Sequence, residues 1–341
     1  MSIMFVTAIL LAAVGPKLPP IPVAVAGNAV TSLKAGHSTM IYSLMGIGPK
    51  KTWDDVTNAV HILDVDGARW LDVRAVPGVA GRVGAIAAAA KDLVVVFGGY
   101  VLDAQGGAAI VPDVNVYSPE SHRWYRGADL PVPVDDAIAG VTHDRYVYLI
   151  GGRSKSGLLN KVQLYDAEKN TWSEATPSPG AAVFGHAGAI VDDTIVYVDG
   201  AARNPAAGAA YVASEECWIG KIDHKDPAKI IWSKLPAHPG TARFGIAAGA
   251  SEKEHKIYFS GGSDRPHNFL GMGYDGQPAE PSPVTFAYDV RFRKWETIHE
   301  NTPDPTMDHS VLVATSEGLI ILGGMEKGQT ITARVSLIPR K

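Results

Sequence analysis

Six short segments set histidine, arginine or apolar residues at similar positions: GHSTM, GRVGA, AIAGV, GHAGA, GIAAG and DHSVL. Aligned, they stack His37, Arg82, Ile138, His186, Ile246 and His309 in one column, with Asp136 and Arg243 just before it. Imidazole titrates near neutral pH and can both take and give a proton. Arginine holds a carboxylate through paired hydrogen bonds. A ring of such groups suits an anion or a polyol. Two readings stand side by side: the column faces a ligand, or its members tie neighbouring repeats by bonding loop carbonyls. Further polar candidates lie in the loops between segments, namely Arg153, Arg203, Asp264 and Arg265. The ligand-binding set expected from this pattern is His37, Arg82, Asp136, Arg153, Arg243, Asp264, Arg265 and His309. His186 of the column is the expected carrier of a proton, a catalytic role.

Other chemistries lack their residues. Gly46-Ile47-Gly48-Pro49-Lys50-Lys51 has neither the spacing nor the Ser/Thr of a phosphate-binding loop, and no H-E-x-x-H occurs. Cys217 is the one cysteine, which rules out an intrachain disulfide or a Cys-rich metal site. No metal and no cofactor is expected. Lys and Arg number 31 against 35 Asp and Glu, a net charge of -4, so nucleic acid is not an expected partner.

These candidates must be positioned by a repeat. An apolar strand ends in a glycine pair, a loop of variable length follows, then a strand with Tyr or Asp, then Trp. Copies read LVVVFGGY then VNVYSPESHRW, YVYLIGG then KVQLYDAEKNTW, and KIYFSGG then TFAYDVRFRKW. MIYSLMGIG with Trp70 and IVYVDG with Trp232 are weaker at the glycines, and LIILGG near the C-terminus has no Trp after it. The second glycine of each unit falls at 48, 99, 152, 200, 262 and 324. That period is about 50 to 60 residues, the length of a four-stranded propeller blade. Trp70, Trp124, Trp172, Trp232 and Trp295 are expected in the wedge between blades rather than at a ligand. The post-glycine loops are long and irregular, above all 263–283, whereas the other hairpins are short, so one face is expected to bind.

The glycine pairs and tryptophans resemble the kelch family over nearly the whole chain. The resemblance implies an all-β fold, a six-bladed β-propeller occupying residues 16–341. Kelch propellers include non-catalytic protein-interaction modules, galactose oxidase and the sialic acid mutarotases. The last group is similar in its opening Leu18-Pro19-Pro20, in Gly46-Ile47-Gly48, in a long loop in the fifth blade and in an end at Val335 to Ile338. That group places Glu and then Arg after the fourth-blade glycine; here Arg203 stands for the Arg, which makes it the second expected catalytic residue, and Ala201 for the Glu. The resemblance implies a small sugar-like ligand, a sugar or sugar acid, and mutarotase-type chemistry, or else a protein partner.

The N-terminus carries the apolar run Ile3 to Val14, too short to span a bilayer as a helix. It is read as a signal peptide over residues 1–15, implying a periplasmic or secreted protein. Without that signal the expectation is cytoplasmic. Lys17 to Val23 looks like a connector that has lost its Trp. The expectation is that the N-terminus supplies the outermost strand of the last blade, closing the ring.

Overall fold

The computed structural model describes residues 18–206 and 208–340. Five four-stranded antiparallel sheets follow one another, and a three-stranded sheet completes the series. The third is typical: Ile138–Thr142 pairs with Tyr146–Ile150, that with Val162–Asp166, and that with Thr171–Ala175. The others begin at Ala29–Ala35, Ile86–Ala90, Ala187–Val191, Ala247–Ser251 and Val313–Ala314. Each sheet is one blade, built from consecutive strands, so every blade forms from local sequence.

The innermost strands crowd the axis, and their composition follows from that. Ala87, Ala88, Ala89, Gly140, Gly188, Ala248 and Gly249 line the axial hollow at the end opposite the long loops. A Cβ at Gly249 would stand 2.1 Å from the Leu312 carbonyl oxygen. At Gly249 a larger side chain has no room.

The tryptophans act as expected. Trp172 packs on Tyr165 at 4.8 Å and Trp295 on Tyr288 at 4.7 Å. Each indole also reaches the preceding connector, where Nε1 donates to a backbone carbonyl: Trp124 to Arg74, Trp172 to Ala128, Trp232 to Thr176 and Trp295 to Pro236. A buried indole N–H needs such a partner. In every case the acceptor lies four residues after the previous blade's tryptophan.

Trp70 donates in the same way to Pro19, which puts Pro19 in the connector position of the last blade. The chain continues along that blade: Ile21 N–H donates to Ala333 O and Gly324 N–H to Val25 O, both at 2.8 Å. Ile21 and Val25 pack with Ile320 and Leu322. Residues 18–25 themselves form no strand. The segment expected to close the ring thus runs along the last blade and hydrogen-bonds to it without forming a regular strand over residues 18–23, and the segment 1–15 read as a signal lies outside the described residues.

Candidate functional site

A ring of backbone hydrogen bonds circles the axis at the loop-bearing end. Gly84 N–H donates to Gly27 O, Asp136 to Gly84, Gly185 to Asp136 and Gly245 to Gly185, at 2.9 to 3.0 Å. His309 N–H to Gly245 O (3.1 Å) and Gly27 N–H to Asp308 O (3.4 Å) complete it. The six stations, Gly27, Gly84, Asp136, Gly185, Gly245 and Asp308, all have left-handed backbone, with φ between 47° and 67°. Glycine adopts that conformation freely; aspartate does so at a cost.

Above this ring lies a pocket of ≈ 200 Å³. Asp136 and Asp308 stand in its floor, and Tyr100, Phe184, Phe244 and Tyr274 in its wall, with Arg153 and His267 between them. Phe184 meets Phe244 edge-on at 5.2 Å, and Phe244 meets the His267 ring at 5.0 Å. The long fifth-blade loop supplies His267 and Tyr274 and so roofs the mouth. Arg153 grips Asp135 with Nη2 at 2.6 Å from Oδ2 and Nε at 3.2 Å from Oδ1. Its guanidinium also lies over the Tyr100 and Phe184 rings, at 5.5 and 5.2 Å.

Two polar atoms of this pocket have no partner. His267 is 2% exposed, and its Nε2 makes no hydrogen bond. Its Nδ1 lies 3.0 Å from Arg265 O, which assigns the proton to Nδ1 in the neutral ring and leaves Nε2 a bare lone pair. Asp308 Oδ1 lies 4.0 Å from that Nε2, and Oδ2 is unpaired. Burial raises the Asp308 carboxyl above the usual range against the opposing pull of His267 and Lys51. Burial lowers His267, with Asp308 opposing. Their proton affinities thus approach each other, the condition for easy proton exchange. Asp136 is raised well above the ordinary carboxylate value, first by burial and then by Asp135.

Only Asp136 and Arg153 of the expected residues line this pocket. The expected column is in register at His186, Ile246 and His309 and out of register at His37, Arg82 and Ile138. Aligned on the left-handed Gly or Asp, the position after each station reads Asn28, Ala85, Ala137, His186, Ile246 and His309. His37 sits exposed in the turn between Ala29–Ala35 and Ser38–Leu44, away from the ring.

Arg82 and Arg243 are each 1% exposed, two residues before a station. Arg82 donates to Gly98 O, Asp113 O and the Asn115 side chain. Arg243 donates to Gly261 O, Val284 O and Ser282. Both therefore tie loop carbonyls, the second of the two readings. His186 is buried, its pKa pushed down to about 3. His309 bonds Thr306 Oγ1 at 2.8 Å and is pushed down to about 4, again by burial.

Arg203, itself exposed, ends the short strand Ala201–Arg203 and does not line the mouth. Asp264 and Arg265 line a separate open cleft with Tyr211 and Asp275, where Arg265 Nε pairs with Asp275 at 2.8 Å. Asp308, Tyr100, Phe184 and Phe244 are among the pocket residues absent from the expected set, whereas His267 and Tyr274 belong to the long fifth-blade loop expected at the binding face. The signal for Asp308 was available, as the aspartate preceding His309 in a place where other repeats have glycine.

Asp199, Cys217 and His238 form a second buried cluster, with ligand atoms within 4.8 Å of one another. His238 Nδ1 faces Pro239 O at 2.8 Å and Nε2 faces both Asp199 oxygens at 2.8 and 2.9 Å. Neither nitrogen offers a free lone pair, and the ring stacks on Phe286 at 4.3 Å. This is packing between the fourth and fifth blades.

Comparisons place the whole arrangement among known proteins. The solved structure of YjhT superposes with a TM-score of 0.74 over 95% of this chain and 97% of that one, at 18% identity, a likeness of fold. Kelch-like protein terF of Aspergillus terreus is 33% identical over 204 residues, covering 58% of this chain and 40% of that protein. Human kelch-like protein 34 is 27% identical over 199 residues, covering 56% and 29% respectively. The chain thus spans less than half the length of these curated relatives. A family profile, the KLHDC2/KLHL20/DRC7 Kelch-repeats domain, matches residues 27–262. With glycine pairs, interblade tryptophans and that match over more than half its length, the chain belongs to the kelch-repeat family.

Proposed function

We propose that the chain binds a small polyhydroxylated molecule, a monosaccharide or a close relative, at the axial mouth, and that His267 and Asp308 move protons on it. The observation that carries this reading is the pair of unpartnered polar atoms, His267 Nε2 and Asp308 Oδ2, in the wall of one pocket. Buried polar groups are almost always paired, and an exception at a cavity calls for a ligand. Sugar rings stack their C–H faces on aromatic walls of this kind and present hydroxyls to carboxylates.

Interconverting anomers needs a base for the anomeric hydroxyl and an acid for the ring oxygen. His267 Nε2, neutral, is the base. A protonated Asp308 or Asp136 carboxyl is the acid. In the reverse step the imidazolium returns its proton and the carboxylate takes one back, so the site is regenerated. The sugar-acid variant of this reading loses the support of Arg82 and Arg243, which are buried and do not line the mouth.

Anomer exchange of glucose and galactose followed by NMR tests it. Exchange should exceed that in buffer, and His267→Gln should slow the catalysed part by about a hundredfold. No acceleration and no binding at millimolar sugar would overturn the reading.

A protein-interaction role has its own support. Trp53 and Leu270 are 53% and 40% exposed near the same face, joined through Lys51, whose Nζ donates to Leu270 O. If this role dominates, Trp53→Ala should weaken partner capture and leave sugar binding intact.

A further inference from the structure

The mouth holds more acid than its cations balance. Arg153 is spent on Asp135. Lys51 Nζ is spent on the Leu270 and Gln329 carbonyls. The Asp136 carboxyl accepts no hydrogen bond among the described residues, and the Asp308 carboxyl meets only the distant His267 ring, at 4.0 Å. The two carboxyls come from stations three apart in a ring of six, so they face each other across the axis.

We infer that the occupant carries an ammonium group, as an amino sugar or amine-bearing polyol does, held between Asp136, Asp308 and His267. This rests on the reading of the mouth as a ligand site; an ammonium held there occupies the groups named as acid and base, so an amine-bearing molecule is bound there and not interconverted. An ammonium brings three N–H donors, and the mouth offers three unsatisfied acceptors: the two carboxylates and the His267 lone pair. Charge-assisted bonds of this type are about twice as strong as neutral ones. The aromatic wall adds a surface that favours cations.

Protonation follows from the same arrangement. Asp136 is faced by Asp135, Arg153, Tyr100 and Asp308, and Asp308 by His267, Lys51 and Tyr100. Without a ligand, burial raises both carboxyls, and Asp135 and Asp308 raise Asp136 further. An incoming cation lowers both, so binding releases whatever protons they hold to the buffer. A neutral sugar displaces none.

Calorimetric titration with glucosamine, glucose, glucuronate and ethanolamine, each in two buffers of different ionisation enthalpy, tests this. Glucosamine should bind at least about tenfold more tightly than glucose, with glucuronate weakest. Its heat should differ between buffers by the proton released. Asp136→Asn and Asp308→Asn should each erase most of the preference, with melting temperature as the check on folding. Glucose equal to glucosamine, or glucuronate the tightest, overturns the inference and leaves the sugar site standing. Binding of ethanolamine with no sugar bound would keep the ammonium and remove the sugar. Failure of all four overturns both.

Discussion

Four of the six axial stations hold glycine and two hold aspartate, though all six do the same backbone work. The glycine stations need their missing side chain: a Cβ at Gly185 would lie 2.1 Å from the Phe244 ring, and one at Gly84 2.6 Å from Asp136 Oδ1. The aspartates pay a conformational cost of about 1–2 kcal/mol at left-handed φ, plus the burial of a carboxyl, with no packing return. A residue kept where glycine would be more stable points to use, and the difference separates closure of the ring from chemistry at its mouth.

The largest test of that separation lies just outside the stations. Arg82→Ala removes donors from Gly98 O and the Asn115 side chain and leaves a large void, so stability should fall by about 3 kcal/mol or more in denaturant titration. Ligand affinity of the folded fraction should not change. Gly185→Ala comes next, with strain and a clash together costing about 2 kcal/mol, read from the same titration.

Acid titration sharpens the comparison through opposite signs. His186 in the fold has a pKa of about 3, below its ordinary value. The unfolded chain therefore binds more protons in between, and stability falls as pH drops below about 6.5, by about 1.4 kcal/mol per unit from this residue. His186→Gln should flatten that limb. Asp136 and Asp308 are raised, so their contribution runs the other way and stability falls as pH climbs above about 4. Asn at both stations should remove that second slope.

The smallest expected change is the most diagnostic. Asp136→Gly should leave the melting temperature equal or higher, equivalent to about 1 kcal/mol of gain.

The architecture was legible because its signals are local. Glycine pairs at strand ends and tryptophans four residues before a connector carbonyl recur within each blade. The mouth was only half legible. Asp136 and Arg153 could be named from their place beside the repeat. The histidine–arginine column slips in the first three blades, since the letters of the first strands do not show the left-handed backbone at Gly27, Gly84 and Asp136 that sets register there. His267 reaches the axis only through the path of an irregular loop, which no periodicity encodes. Arg82 and Arg243 look like ligand residues in sequence, since a cation that satisfies carbonyls inside the protein has the same letter as one that meets a substrate.

The central claim is that Asp136 and Asp308 serve the ligand while the glycine stations serve closure. Calorimetric titration of glucosamine into the Asp136→Gly/Asp308→Gly double variant, beside the unaltered protein, tests it directly. The account predicts that binding disappears while the melting temperature holds or rises. Undiminished binding in a stable double variant would contradict it.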